Sequence, residues 1–244
     1  MMPPPRRVMI TGTGTGVGKT MATAWLARSL TARGVRVGVY KPVCSGAVDG
    51  PQKPIWEDIE RLWESIDGSA PRERIGPQTF RAPVAPPLAA SFEGREVDEQ
   101  LLFAGVDWWT GRCDVLLIEG AGGWLSPLSS GLTNADFAER LGAETLIVAP
   151  HELGVINQAL LVVESIRSRG LPMLGVLLSQ ARPPRPVAGA PADFDFAESN
   201  MAEIEARGGV PALGLLTFEL RDGVIRRGRR AELDLWNALT PRAP

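Results

Sequence analysis

Thr11-Gly12-Thr13-Gly14-Thr15-Gly16-Val17-Gly18-Lys19-Thr20 is the stretch on which the reading of this chain turns. Val8-Met9-Ile10 before it is short, apolar and β-branched, as a buried strand is. After it, Ala22, Leu26 and Leu30 recur at i, i+4 and i+8, the spacing of one helix face. A glycine-rich turn between a strand and a helix, ending in Gly-Lys-Thr, is the context of a phosphate-binding loop. Its glycines permit positive φ and close backbone approach, and the helix N-terminus directs amides at an anion. Lys19 then reaches the β/γ-phosphates, and Thr20 offers a hydroxyl to Mg²⁺. The usual G-x-x-x-x-G-K-[ST] spacing would put glycine where Thr13 stands, so the loop is atypical. A dinucleotide fingerprint fits worse, because its third glycine falls on Val17 or on Lys19. The alternative is a glycine-rich turn that binds nothing, and Gly-Lys-Thr at the strand-to-helix junction argues against it.

Outward from the loop, strand and helix patterns alternate. Gly34 suits a helix C-terminus, and Val35 to Tyr40 reads as a second strand. Val115-Leu116-Leu117-Ile118 is unbroken apolar sequence, typical of a strand covered on both faces, and Thr145 to Ala149 and Met173 to Leu178 repeat it. Between the last two lies a helix expected to turn Ile156, Leu160 and Val163 inward and to end at Gly170. A helix around Phe194 to Arg207 precedes a last strand near Leu213 to Thr217. Repeated βα units specify an α/β fold, a mainly parallel sheet flanked by helices on both faces. Residues 1–244 read as one domain, with 1–6 a flexible N-terminal tail. Pro51 to Pro87 reads as one helix, about Ile55 to Ser65, followed by turns, and Arg182 to Ala192 as a surface loop.

Composition narrows the function classes. The 244 residues carry Lys+Arg 26 and Asp+Glu 28, a formal charge of −2, which disfavours a bulk nucleic-acid binder. Two cysteines, Cys44 and Cys113, make no disulfide framework, and the lone His151 no structural zinc site. The N-terminus lacks the long apolar core of a secretory signal. Leu146 to Ile166 is interrupted by Pro150, Gly154 and polar residues, so it is no membrane span. A cytoplasmic protein without membrane or nucleic-acid partners is expected.

Two further segments follow strands. In Tyr40-Lys41-Pro42-Val43-Cys44-Ser45-Gly46, Lys41 and Ser45 fall at a carboxyl end of the sheet, where open α/β sheets bind ligands. In Ile118-Glu119-Gly120-Ala121-Gly122-Gly123, Glu119 stands where a Mg²⁺-binding carboxylate would be. Taken singly, Lys41 could be a solvated loop lysine and Glu119 a capping group; their shared position beside the phosphate loop favours a site. Trp108-Trp109 reads as packing, Cys44 as a small buried filler, and His151 as satisfied by a backbone contact.

These segments, with Leu153-Gly154-Val155-Ile156-Asn157, stand in an order and spacing that resembles the dethiobiotin synthetase family, from about Val8 to Leu178. The resemblance implies a P-loop NTPase-like fold and a reaction of 7,8-diaminononanoate, CO₂ and MgATP to dethiobiotin, ADP and phosphate. A carbamate and a carbamic–phosphoric anhydride would be the intermediates. It implies catalytic roles for Lys19 and Lys41, which flank the transferring phosphoryl and the carbamate oxygens. Thr20, Asp58 and Glu119 would serve Mg²⁺, with Glu57 adjoining. The nucleotide would meet Gly16, Val17, Gly18, Lys19, Thr20 and Met21, then Asp58 and Glu119 with Gly120, Ala121 and Gly122, and Ser179 and Gln180 at the base. Thr15, Lys41 and Ser45 would hold substrate. Leu153, Gly154, Val155, Ile156 and Asn157 would reach a neighbouring subunit's substrate carboxylate, which implies a homodimer with composite sites.

The chain departs from that pattern in places. Gly14 and Gly16 stand where the family often has acidic residues, so a weaker nucleotide grip is expected. Ser179-Gln180 replaces a common Asn-Asp pair, which implies relaxed base choice. Gln158 replaces a histidine, and positions near Thr217 to Glu219 align too loosely to carry a role over. The rival from another class is a switch ATPase of the partitioning or maturation type. Many of those carry a second loop lysine at the position of Gly14, and the Lys41–Ser45 cluster counts against that reading. A related amidation enzyme would need a glutaminase domain, for which 244 residues leave no room.

Overall fold

A seven-stranded sheet in the order β2-β5-β1-β6-β7-β8-β9 forms the centre of the computed structural model, which describes residues 4–180, 189, 194–217, 224–226 and 239. The order of elements is β1 (Arg6–Gly12), α1 (Lys19–Thr31), β2 (Val37–Tyr40), β3 (Val43–Ser45), α2 (Glu57–Ser65), α3 (Arg72–Ile75) and β4 (Gln78–Phe80). There follow α4 (Pro86–Phe92), α5 (Glu99–Trp108), β5 (Val115–Glu119), α6 (Asn134–Leu141), β6 (Glu144–Pro150), α7 (Val155–Ser168), β7 (Met173–Gln180), α8 (Phe196–Gly208), β8 (Ala212–Thr217) and β9 (Val224–Arg226). All pairings from β2 to β8 are parallel, and β9 runs antiparallel to β8. Helices cover both faces, and no helix among the described residues is long and apolar enough to cross a membrane. The α/β class with a mainly parallel sheet is therefore as the sequence indicates.

Every residue of β5 is buried, including Glu119, as are all four of β2. Such strands read as continuous apolar runs because helices cover both of their faces. β1 lies between β5 and β6, and its carboxyl end, where the strand order reverses, opens the crevice such sheets use for ligands. Ala22, Leu26 and Leu30 are fully buried, as their spacing predicts.

Several local expectations need revision. Arg6, placed in the tail by sequence, opens β1, and its guanidinium binds both Glu144 carboxylate oxygens at 2.6 Å, tying β1 to β6. Of the row expected to turn inward in α7, Val163 is fully buried but Ile156 and Leu160 are only half-buried, and Val155, Ala159 and Ile166 complete the buried stripe. The helix starts directly after Gly154, and Ala159 is small enough to turn inward. The segment from 51 to 87 holds more than one helix: besides α2 it contains α3, β4 and the start of α4. β4 pairs in parallel with β3, matching Ser45 to Phe80, in a separate two-stranded sheet. Three-residue strands are too short to show a period. Most of the loop expected over Arg182 to Ala192 lies outside the described residues, as do Phe218 and Glu219.

Candidate active site

The phosphate-loop segment leaves β1 at Gly12 and enters α1 at Gly18, whose φ of 93° only glycine adopts readily. No side chain caps α1, so the first amides of the helix have no capping acceptor and remain available to an anion. A Cβ at Gly12 would lie 2.7 Å from Val17 Cγ2 and 3.2 Å from the Val148 oxygen, so glycine is needed for the loop to fold back over β6. Lys19 is buried, and its Nζ donates to the Gly14 oxygen at 2.8 Å, across the loop's own span. Burial lowers its pKa to about 8, although the Glu119 carboxylate opposes that shift.

Four side chains, from three elements and the turn after β2, meet below the loop. Lys41 follows β2, where its amide donates to the Ile75 oxygen at 2.7 Å and anchors the turn. Its Nζ lies 2.6 Å from Asp58 Oδ2 on α2 and 2.6 Å from Glu119 Oε1 at the end of β5. Thr20 Oγ1, in the first turn of α1, stands 2.9 Å from Asp58 Oδ1 and 2.7 Å from Glu119 Oε1. A hydroxyl has one proton, so Thr20 can donate to only one of these carboxylates at a time. Burial alone would depress the Lys41 pKa, but Glu119 and Asp58 overcome it and hold the ammonium above the ordinary lysine value. Burial likewise pushes Asp58 up, and the Lys41 ammonium, with the Thr20 hydroxyl, brings it below the usual carboxylate range. Glu119 is completely buried and its Oε2 has no hydrogen-bond partner. Asp58, rather than its neighbour Glu57, therefore faces this cluster.

The donor set fits a magnesium ion. Two carboxylates, one hydroxyl and an unpartnered buried Oε2 are oxygen ligands of the type Mg²⁺ takes, with phosphates and water completing six. No group of three or more His, Cys, Asp or Glu that could hold a metal exists among the described residues, so an ion here would depend on a nucleotide for further ligands.

The glycine turn after β5 packs on the phosphate loop. The Trp124 amide donates to the Gly12 oxygen at 3.1 Å, and a Cβ on Gly123 would lie 3.4 Å from the Gly12 oxygen and Gly14. Sequence reasoning missed what holds this turn, the fully buried Asn134 at the start of α6. Its Nδ2 donates to the Ala121, Gly123 and Ser126 oxygens at 2.7, 2.8 and 3.1 Å, and its Oδ1 accepts from the Ala121 amide at 3.2 Å. The signal available was Thr133-x-x-Asp136, which marks the helix start and forms a capping box.

The other predicted residues are more dispersed. Ser45 is half-buried and donates to the Val84 oxygen at 2.7 Å, while Thr15 is exposed beside Gly122. The Met21 side chain turns to Arg61 on α2. Ser179 and Gln180 end β7: Ser179 is buried with an unpartnered Oγ, and Gln180 is half-buried. The 153–157 segment lies at the end of β6. Leu153 is fully exposed, Gly154 and Asn157 are exposed, Ile156 is half-buried and Val155 is buried. The amide hydrogen bonds of its turn stay local, from Val155 to the Glu152 oxygen and from Gln158 to the Gly154 oxygen. Cys44 is buried and its thiol is pushed up to about 12 by burial, which makes it inert; Trp109 is buried packing. The His151 amide donates to the Ser179 oxygen at 2.8 Å.

A Gly-Lys-Thr loop at the carboxyl end of a central parallel strand, with a buried carboxylate ending the adjacent strand, defines a P-loop NTPase. A family model described as an AAA domain matches residues 6–220. The ATP-dependent dethiobiotin synthetase of Anaeromyxobacter dehalogenans is 38% identical over 224 residues, covering 92% of this chain and 94% of that one. The ATP-dependent dethiobiotin synthetase of another Anaeromyxobacter species is 42% identical over 176 residues, covering 72% and 77%. The chain belongs to the ATP-dependent dethiobiotin synthetase family. Among solved structures, the septum site-determining protein MinD complexed with Mg-ADP from Pyrococcus horikoshii aligns at 18% identity, covering 88% of this chain and 82% of that one, with a TM-score of 0.48. The alignment over 224 residues reaches past the motifs that carry the resemblance, which end near Leu178.

Proposed function

We propose that this chain is a cytoplasmic, Mg²⁺-dependent enzyme of biotin synthesis. It converts 7,8-diaminononanoate, CO₂ and ATP to dethiobiotin, ADP and phosphate, as a homodimer with composite sites. One substrate amine adds to CO₂ and gives a carbamate. A carbamate oxygen attacks the γ-phosphorus and displaces ADP, forming a carbamic–phosphoric anhydride. The second amine attacks the carbonyl carbon, closes the cyclic urea and expels phosphate. The observation that carries this reading is the cluster of Lys41, Asp58, Glu119 and Thr20 beneath the loop that carries Lys19.

That cluster suits a reaction dominated by positioning and charge stabilisation. Lys19 and Lys41 offset charge on the transferring phosphoryl and on the carbamate oxygens. A magnesium ion held by Thr20, Asp58 and Glu119 would neutralise phosphate charge. The amides of Gly16 to Met21 bind phosphates, and Gly120, Ala121 and Gly122 border the nucleotide. Thr15 and Ser45 hold substrate, Ser179 and Gln180 meet the base, and the α7 N-terminus, with Leu153 to Asn157, receives the carboxylate of a substrate bound to the partner subunit. The exposure of Leu153 is consistent with a subunit contact.

The test is ADP release by the purified protein with MgATP and bicarbonate, with and without 7,8-diaminononanoate, followed by mass analysis. Diamine-dependent ADP release with dethiobiotin formed is the expected result. ATP hydrolysis indifferent to the diamine would overturn the reading in favour of a switch ATPase.

A further inference from the structure

Asp58 and Glu119 hold the Lys41 ammonium and are also the carboxylates read above as ligands of a magnesium ion. The Lys41 ammonium lies 2.6 Å from a carboxylate oxygen of each, and the Thr20 hydroxyl stands between the same two groups. Lys41, Lys19, Asp58 and Glu119 together are formally neutral. Adding a divalent ion to a neutral, largely buried cluster places two positive charges beside a buried ammonium, and like charges at such range repel strongly where water is excluded. We propose that Lys41 and the divalent cation compete for the Asp58–Glu119 pair. The metal is then bound well only together with the nucleotide, whose phosphates supply the missing negative charge. When it enters, the Lys41 ammonium leaves the carboxylates for the phosphoryl and carbamate oxygens. Lys41 is thus a specificity device as well as a charge stabiliser, because it keeps free metal out and makes the metal–nucleotide complex the species that loads. This inference rests on reading Thr20, Asp58 and Glu119 as the cation site.

The geometry sets the direction of each arm of the test. Removing Lys41 leaves two carboxylates uncompensated, so their attraction for a divalent ion rises. Removing Asp58 takes away half of the pair. The chain has only three lysines, Lys19, Lys41 and Lys53, and Lys53 is exposed while the other two are buried. A spectrum of lysine labelled with ¹³C at Cε therefore reports the site almost alone.

The experiment titrates Mn²⁺ into the full chain without nucleotide, read by electron paramagnetic resonance. Lys41→Met is expected to bind Mn²⁺ at least about tenfold more tightly than the unsubstituted protein, and adding Asp58→Asn is expected to abolish that gain. Equal Mn²⁺ affinity of Lys41→Met and the unsubstituted chain overturns the competition while leaving the cation site in place. Unchanged affinity of Asp58→Asn for Mn²⁺ with a non-hydrolysable ATP analogue overturns the site itself, and the competition with it. Should Lys41→Met fail to fold, the unsubstituted labelled chain decides. One buried lysine signal is expected to answer to the analogue even in EDTA, and the other only when Mg²⁺ accompanies it. Two buried signals responding alike in EDTA overturn the proposal.

Discussion

Asn134→Ala tests how the glycine turn after β5 is held on the phosphate loop. The side chain is fully buried, its two Nδ2 hydrogens serve three backbone oxygens between 2.7 and 3.1 Å, and its Oδ1 accepts from the Ala121 amide. Two donated bonds and one accepted bond, each contributing about 1 kcal/mol, put the loss near 3 kcal/mol, and more where a buried group stays unsatisfied. For a chain of 150–250 residues each kcal/mol moves Tm by about 2–4 °C, so a fall of roughly 6–12 °C is expected. Calorimetric or circular-dichroism melting measures it. Asn134→Asp separates the hydrogen bonds from the cavity, because it keeps the volume but sets acceptors against three carbonyl oxygens. It should be at least as unstable as the alanine variant. Asn134→Ala should also weaken nucleotide binding, because Gly123 packs against Gly12 and Gly14. A Tm change below about 2 °C in Asn134→Ala, or an Asn134→Asp protein as stable as the parent, would refute the reasoning.

Four shorter expectations accompany it. Lys41→Gln should lower turnover by about 10²–10³ while nucleotide binding is retained, as loss of one transition-state donor does, and near-parental turnover in a coupled ADP assay refutes its role. Lys19→Gln should damage nucleotide affinity and rate together; unchanged affinity by calorimetry means the phosphate loop has been misread. The Asp136 carboxyl is held below its ordinary value of 3.8 by the Thr133 side chain and amide and by Arg169. Its ionised form therefore stabilises the fold above that value, and the contribution is lost as pH falls through the lower folded pKa. Asp136→Asn should flatten the acid limb of a stability–pH curve, and an unchanged limb speaks against it. On the proposal that Ser179 and Gln180 meet the base, GTP or CTP should support turnover within about tenfold of ATP, and strict ATP dependence rejects this.

The frame of the fold was legible because its signals are long or chemically loud. Apolar strands flanked by glycine turns, and the Ala22–Leu26–Leu30 face, declare themselves by period. Gly-Lys-Thr, the lysine just after β2 and the glutamate that ends β5 mark the candidate site by position, and Lys41, Glu119 and Thr20 do meet. What escaped was short or supplied from a distance. β3 and β4 have three residues each and pair across more than thirty positions, so no local pattern announces them. In the first turns of α7 the buried positions are Val155 and Ala159 instead of Ile156 and Leu160, because Ala159, carrying a weak hydrophobic signal, turns inward where a larger neighbour was expected, while Val163 is buried as expected. Nothing in the sequence singles out Asn134, since its partners are carbonyls that every sequence possesses. A contact between a side chain and backbone has no partner residue to be noticed.

Lysine and arginine occupy different settings in this chain. Of 26 basic side chains only three are lysine, and two of those three are buried in the site, while arginine makes the structural pairs at Glu144, Asp114, Glu60 and Asp136. Arginine's planar fork suits fixed, two-pronged contacts such as the Arg6–Glu144 bridge between β1 and β6. Lysine presents a compact charge on a stem with many rotamers, able to point at Asp58 and Glu119 or swing away from them without losing its charge. Lys41 combines an amide fixed to the Ile75 oxygen with an ammonium shared by two carboxylates on different elements. The backbone is therefore anchored while the charged end has alternatives. The role proposed for Lys41, neutralising carboxylates at one stage and a phosphoryl at another, needs that division, and an arginine locked into a bidentate pair would not supply it.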